Sequence, residues 1–422
     1  MSTARLWEGV VDEALEREVL GACLDQAPER RRIREAFKDV QLNIDHYLFK
    51  VNPFPSLPPI YVSFLWSRDP RATNTPFRAS GVWMWASDVK AQLKRLLPIG
   101  KSSGFGFYIN SPFPISDAKY SGIGTKESYE HNSRGVEIFS KCWFPENHCM
   151  KAIVCLCHGY GDTCTFFLEG FARKIASVGY GVFALDYPGF GLSEGLHGYI
   201  PSFDALVDGN PEYKGLPSFL FGQSMGGAVA LKVHFKQPSE WNGAILVAPM
   251  CKIADGVVPL WPVQQVLIVM AKLLPKLKLV PQKDLAELAF REKKKREQTS
   301  FNVIAYIDKP RLQTAWEMLK TTRDRNTSGR GIGCFHFQDI TSSGHSMVFL
   351  PMIILHDEAD LVTNPAVSKA LYEKAKSQDK KLCLYKDAYH SILEGEPDET
   401  IARVIDDIIS WLDQHSTKQG SS

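Results

Sequence analysis

The sequence predicts an α/β fold, a mainly parallel sheet covered by helices on both faces, and three observations carry that reading. Short apolar runs such as KAIVCLCHG (151–159), SFLFG (218–222), GAILVAP (243–249) and MIILHD (352–357) suit strands buried on both sides. Helical pieces alternate with them, FFLEGFARKIASVGY (166–180) after the first and AVALKVHF (228–235) after the second. At 422 residues and 44% hydrophobic content, the chain can form one large α/β domain with extensions.

Residues 1–48 read as a charged helical extension. Val10, Leu15, Val19, Leu20 and Cys23 form one apolar stripe, and Ile33, Phe37, Val40 and Ile44 form another beyond the break at Pro28. Its expected role is to pack on the main domain. Residues 49–121 hold nine prolines and no sustained period, so they read as an irregular or disordered insertion. The main domain is expected over 122–417. In it GVEIFSKCWFP (135–145) alternates like a half-buried strand, GVFALDYPG (181–189) and KKLCLYKDAYH (380–390) add strands, and ETIARVIDDIISWLDQ (399–414) is a closing amphipathic helix. The run REKKKRE (291–297) reads as a solvated helix face.

Lys and Arg (49) nearly balance Asp and Glu (47), a formal charge of +2, which gives no reason to expect nucleic acid as a partner. The nine cysteines include no CxxC pair, and Cys155 and Cys157 alternate inside an apolar run. They are expected to be reduced, mostly buried thiols in a reducing compartment. The group His148, Cys149, Cys155, Cys157 and His158 fits no zinc spacing, so no metal is expected. The opening residues show no apolar core of a signal peptide, and no apolar run reaches about 18 residues. A soluble, cytoplasmic protein is expected.

Chemistry concentrates at Gly222-Gln223-Ser224-Met225-Gly226, a G-x-S-x-G pattern between a predicted strand and a predicted helix. Such a corner needs a strained nucleophilic residue with neighbours of little bulk, which Gly222 and Gly226 provide. The helix start and the Met225 N–H can stabilise a developing oxyanion beside the Ser224 hydroxyl. A serine also needs a base and the base an orienting acid, in the order Ser, Asp or Glu, His for this architecture. Asp360 and His390 close later apolar strands at the ends where Ser224 lies; Asp357 and Glu358 compete with Asp360. HGYGD (158–162) follows the first long strand, so the Tyr160 amide is the candidate second oxyanion donor, and His158 is expected to be structural.

HGYGD, LDYPGFGLSEG, GQSMGG, HDEAD and KDAYH together resemble the monoacylglycerol lipase branch of the α/β-hydrolase superfamily. Longer runs, among them HGYIPSFDALV, LVAPMCKIAD and LYKDAYHSILEGEPDE, are similar to the plant monoacylglycerol lipase-like proteins and caffeoylshikimate esterases. The resemblance implies Ser224 as nucleophile, His390 as base, Asp360 as its orienter and the Tyr160 and Met225 amides as oxyanion hole. Gly191 and Ser193 look structural. It also implies a cap over the site at about 251–320. There VPLWPVQQVLIVMAKLLPKLKLVP (258–281) is notably apolar: packing on the core and contact with substrate or a lipid surface are both open to it. The chain departs from the pattern at a shortened crossover (204–217), an irregular glycine- and serine-rich segment (321–350) and the insertion at 49–121.

The function expected is a serine ester hydrolase acting through an acyl-enzyme on a small-molecule monoacylglycerol or lysophospholipid-type ester, without a cofactor. A hydroxycinnamoyl esterase of the caffeoylshikimate type is the alternative. From another class, a hydrolase-like binding protein impaired by the short crossover is the rival.

Overall fold

The computed structural model describes residues 7, 10–42, 44–50, 77–79, 82–84, 122–146, 149–207, 216–281, 284–322 and 348–416. By contacts the chain divides into residues 1–49 with 120–422 and, separately, residues 50–119. Within the second unit, Phe77–Ala79 and Val82–Met84 pair antiparallel, and the rest of the predicted insertion lies outside the described residues.

The first unit is built on eight strands: β1 (Ile123–His131), β2 (Glu137–Pro145), β3 (Ile153–Cys157), β4 (Gly181–Leu185), β5 (Ser218–Gln223), β6 (Gly243–Val247), β7 (Met352–Asp357) and β8 (Lys380–Tyr385). Their order is β8-β7-β6-β5-β3-β4-β2-β1. From β4 to β8 every pairing is parallel, while β1 and β2 run antiparallel at one edge. Strand β1, with mostly exposed polar residues, closes that edge, which suits a strand that must not recruit another. The chain leaves β3 for β4 on one side and returns to β5 on the other. A crevice therefore opens at the ends of β3 and β5, the place where ligands bind such sheets.

Alternation divides the core. Phe219 and Phe221 of β5 join one cluster under α3 (Phe167–Ser177) and α10 (Asp398–Ser416), and Leu220 joins the other under α4 (Met225–Lys236) and α9 (Pro365–Lys374). Among the described residues of the crossover before β5 there is a short 3₁₀ turn, Phe203–Leu206, and residues 208–215 lie outside the described residues. Phe203 and Leu206 are buried against Met318 of α8 (Leu312–Thr322), so a later helix helps cover this face. Most of the irregular segment at 321–350 also falls outside.

The N-terminal extension forms α1 (Glu13–Gly21) and α2 (Ala27–Leu42) and shares the main core. Ile33 and Phe37 are buried as the second stripe requires, with the Trp7 ring tilted against Phe37, centroids 5.2 Å apart. The first stripe needs correcting: Val10, Leu20 and Cys23 are exposed, and Val11, Leu15 and Val19 face the core. A spacing of four keeps Leu15 and Val19 on one face of the helix, with Val11 just before it, whereas Leu20 is turned 100° from Val19. Arg30, fully buried, donates to the carbonyls of Leu24, Gly191, Ser193 and Gly195, so a buried cation gathers four otherwise unpaired acceptors.

The segment 251–320, expected as a cap, contains α5 (Trp261–Leu273), α6 (Leu285–Ala289), α7 (Lys293–Gln298) and most of α8. On α5 only Ala271 is buried: Leu267, Met270 and Ala271, with Val280 beyond the helix, pack against Leu312 and Trp316 of α8, while Trp261 is 69% and Leu273 74% exposed, so only one side of the apolar run packs down. The REKKKRE face is likewise not uniformly solvated. Lys295 is buried, 2.7 Å from Asp398 and donating to the Glu396 carbonyl. Among the described cysteines, 155, 157, 164 and 251 are buried and 23 and 149 exposed, none of them in a disulfide; Cys334 lies outside the described residues.

An ion network ties the extension to the sheet: Arg34 to Glu127 at 2.6 Å, Lys141 to Glu127 at 2.8 Å and to Glu169 at 2.9 Å, and Arg173 to Glu169 at 2.9 Å. Burial raises the Glu127 carboxyl, but Lys141 and Arg34 outweigh it and hold the group at about 2 instead of 4.5. Its stabilisation is therefore complete above pH 4.5 and lost as pH falls towards 2. In an acid titration followed by circular dichroism, Glu127→Gln should flatten the stability curve between those limits; identical acid limbs would contradict the assignment.

Candidate active site

Strand β5 delivers Ser224 to the crevice, and α4 begins at the next residue. Ser224 has φ 53° and ψ −121°, a conformation costing about 1–3 kcal/mol for a residue with a side chain. The neighbours hold it there. Its N–H donates to Val247 O at 3.0 Å, and its carbonyl accepts from Gly227 N at 3.0 Å and Met250 N at 2.8 Å. A Cβ on Gly222 would stand 2.3 Å from Gly226 O, and one on Gly226 would stand 1.9 Å from Cys157 O. Both glycines are thus required by the close approach of α4 to β5 and β3.

His390 lies on the turn after β8, with Nε2 2.9 Å from Ser224 Oγ and Nδ1 2.7 Å from Asp360 Oδ2. Asp360 follows β7 in a tight turn. Its Oδ1 accepts from the amides of Val362 at 2.7 Å and Thr363 at 3.0 Å, and its Oδ2 also accepts from Thr363 Oγ1 at 2.7 Å. His356 Nε2 stands 3.1 Å from the same oxygen, and its Nδ1 bonds the buried Ser368 Oγ at 2.7 Å. Burial alone would raise the Asp360 carboxyl. His390 and the hydrogen bonds from His356, His390 and Thr363 win and keep it well below the usual carboxylate range.

The competing acids are elsewhere. Glu358 faces Lys369 at 3.8 Å. Asp357 is fully buried, and neither of its carboxyl oxygens has a hydrogen-bond partner among the described residues. Burial, then the charges of Asp360 and Glu396, push it up to about 9, so it is neutral where Asp360 is ionised. His356, Thr363 and Ser368 were missed in the sequence. The Asp-x-x-Thr spacing at 360–363 was the available signal, because an Asp there can take the amides two and three residues on.

Gly159 lies against the serine: a Cβ on it would be 3.6 Å from Ser224 Cβ. This brings the HGYGD loop to the nucleophile corner, and among the described residues the amides of Tyr160 and Met225 have no backbone or side-chain acceptor. His158 is structural, as its place in the sequence implies. Tyr187 N–H donates to its Nε2 at 3.2 Å, so its Nδ1–H donates to Gly159 O at 2.8 Å, and burial lowers its basicity. Ser193 and Gly191 are also structural: Ser193 Oγ donates to Asp186 O at 2.6 Å, and a Cβ on Gly191 would collide with Asp186.

The arrangement is a serine hydroxyl, an imidazole within hydrogen-bond reach of it and an ionised carboxylate bonded to that imidazole, at the switch point of a parallel sheet. The family model described as serine aminopeptidase, S33 (Hydrolase_4) matches residues 148–398, which contain all three. The chain belongs to this α/β-hydrolase family. It is 30% identical over 311 residues to caffeoylshikimate esterase of Arabidopsis thaliana, covering 71% of this chain and 89% of that protein. It is 27% identical over 299 residues to the monoglyceride lipase of Homo sapiens, covering 69% and 91%. A soluble variant of the Saccharomyces cerevisiae monoglyceride lipase, solved with a substrate analogue, shares the fold with a TM-score of 0.58 at 22% identity, over 72% of this chain and 99% of that one. This family member is a carboxylic-ester hydrolase.

Replacing Asp357 by Asn keeps the shape of the neutral acid and removes its proton. A carboxyl raised from 3.8 to about 9 favours the fold fully below pH 3.8, and that benefit drains away as pH rises to 9. The melting temperature of Asp357→Asn should match wild type near pH 4 and exceed it increasingly towards pH 9, by roughly 2–4 °C per kcal/mol recovered. A constant difference across that range would contradict a neutral Asp357.

Proposed function

We propose that Ser224, His390 and Asp360 are the catalytic triad, and that the chain hydrolyses monoacylglycerol or lysophospholipid-type esters through an acyl-enzyme on Ser224. The observation that carries the reading is the unbroken relay from Ser224 Oγ through His390 to an ionised Asp360, at 2.9 and 2.7 Å. His390 Nε2 takes the proton as Ser224 Oγ attacks the ester carbonyl. The amides of Tyr160 and Met225 hold the oxyanion; one such donor is worth about 2.7–4 kcal/mol in related chemistry. Asp360 keeps Nδ1 protonated and offsets the imidazolium charge. His390 then protonates the departing alcohol, and a water activated by the same nitrogen releases the acid.

The lipid preference rests on the cap. Leu260, Trp261, Val266, Val269 and Leu273 stand exposed beside Lys272 and Lys276, an apolar ridge with basic flanks that suits peripheral contact with a lipid surface. No helix among the described residues is long and apolar enough to cross a membrane. A second reading, a hydroxycinnamoyl ester such as caffeoylshikimate, is favoured by the 30% identity to the Arabidopsis thaliana esterase.

Labelling with a fluorophosphonate tests the nucleophile: wild type should be labelled and Ser224→Ala should not, with turnover down about 10⁶-fold. Equal labelling would remove Ser224 from the reaction. A panel of monoacylglycerols, lysophospholipids and hydroxycinnamoyl esters then separates the substrate readings by kcat/KM.

Trp261→Ser with Leu273→Ser should lower activity on vesicle-presented monoacylglycerol at least about 100-fold, at ~1.5–3 kcal/mol for each of the two large apolar side chains, and leave a dissolved short-chain ester unaffected. Parallel losses on both substrates would reject the ridge as a lipid contact.

A further inference from the structure

His390 sits in the middle of residues 386–397, which join β8 to α10 without a regular element. A base must nevertheless hold its nitrogen within a few tenths of an ångström of Ser224 Oγ. The turn is secured from three directions. The cap supplies the Ala289 carbonyl to Ser391 N at 2.9 Å, and Glu292 N donates to Gly395 O at 3.0 Å. The turn braces itself, Tyr389 N donating to Glu396 Oε1 at 2.6 Å. The third tie comes from outside the region matched by the family model: His46, in the N-terminal extension.

His46 is 1% exposed and lies 4.7 Å from the Phe167 ring on α3. The Leu48 amide donates to its Nδ1 at 3.1 Å, which leaves the ring proton on Nε2. That N–H donates to the carbonyl of Glu394 at 2.8 Å, four residues beyond His390. Glu394 in turn accepts from Gln223 Nε2 at 3.4 Å, and Gln223 immediately precedes Ser224. A single path therefore runs from the extension to the base's turn and back to the nucleophile's strand.

We propose that His46 is a positioning residue: from the N-terminal extension it fixes the turn that carries His390, and Glu394 passes that constraint to Gln223 beside Ser224. The extension is thereby part of the catalytic apparatus without touching substrate. The proposal rests on the Ser224–His390 assignment. The Nε2–H donor role is specific, since a side chain that fills the space without donating leaves the Glu394 carbonyl unpaired inside the protein. Gln can keep a donor near the Nε2 position; Ala cannot.

The test uses the full chain and a dissolved p-nitrophenyl butyrate substrate, with kcat expressed per serine titrated by fluorophosphonate and Tm measured alongside. His46→Ala should lower kcat about 10- to 100-fold, the range for a misplaced catalytic group, with KM changed less than about twofold. His46→Gln should recover most of the loss. Glu394→Ala, at a partly exposed position where folding is less at risk, should lower kcat in the same sense, and the double variant should lose less than the sum of the two. Wild-type kcat per titrated serine in His46→Ala, or Gln no better than Ala, would overturn the proposal. Should His46→Ala fail to fold, wild-type kcat in Glu394→Ala would overturn it. Labelling of Ser224→Ala would instead bring down the underlying assignment, so the two failures are distinguishable.

Discussion

Everything in the site follows from the conformation of one residue, Ser224, held at positive φ between β5 and α4. Strain of that kind persists only where the surroundings over-determine it. Here the carbonyls of Cys157 and Gly226 lie so close that no side chain fits at 226 or 222, and the amides of Gly227 and Met250 grip the serine's own carbonyl. The parallel sheet is what lets β3, β5 and β6 converge on this corner. The same convergence brings the Tyr160 loop to the serine from β3, where the Tyr160 and Met225 amides have no acceptor among the described residues.

Electrostatics then sorts acids that the sequence leaves equivalent. Asp357 and Asp360 are three residues apart and both buried. Asp360 turns into a nest of two amides, a hydroxyl and two imidazoles, which together outweigh desolvation. Asp357 ends its strand on the face of Ile353 and Leu355, its carboxyl oxygens have no hydrogen-bond partner among the described residues, and the charge of Asp360 itself adds to the cost of ionising it. One carboxyl is thus available to steady an imidazolium and the other is not. The decision rests on hydrogen bonds, not on proximity to the motif.

The extension and the cap show how much of this hydrolase lies outside its motifs. Arg30 draws together the carbonyls of the loop at 189–195, Arg34 enters the ion network of β1, β2 and α3, and Trp7 and Phe37 pack on Phe301 beside α7. Removing one partner from such a buried charge network costs about 3–5 kcal/mol, enough to matter against the stability of a typical domain. Along α5 the opposite holds in part, Trp261, Val266, Val269 and Leu273 facing solvent while Ala271 packs on α8.

By itself the sequence determined the parallel sheet, its helices and the glycine corner around Ser224, because each depends on local spacing, and it offered Asp360 and His390 as candidates at strand ends. Runs such as SFLFG and MIILHD are apolar on both faces whatever surrounds them, and G-x-S-x-G needs only its own neighbours. The sequence could not decide what depends on which surfaces meet. Val10 and Leu20 look as core-like as Val19, yet only the docked helix selects Val11, Leu15 and Val19. Lys295 sits in a run of like charges and is buried because Asp398 and the Glu396 carbonyl, a hundred residues away in sequence, come to it. The apolar run of α5 would satisfy a core as well as a surface, and its exposure follows from where the cap helices sit. Choosing Asp360 over Asp357 needed His356, Thr363 and Ser368 in place around one oxygen. Periodicity fixes what a segment can bury; only the assembled chain supplies the partner that makes it do so.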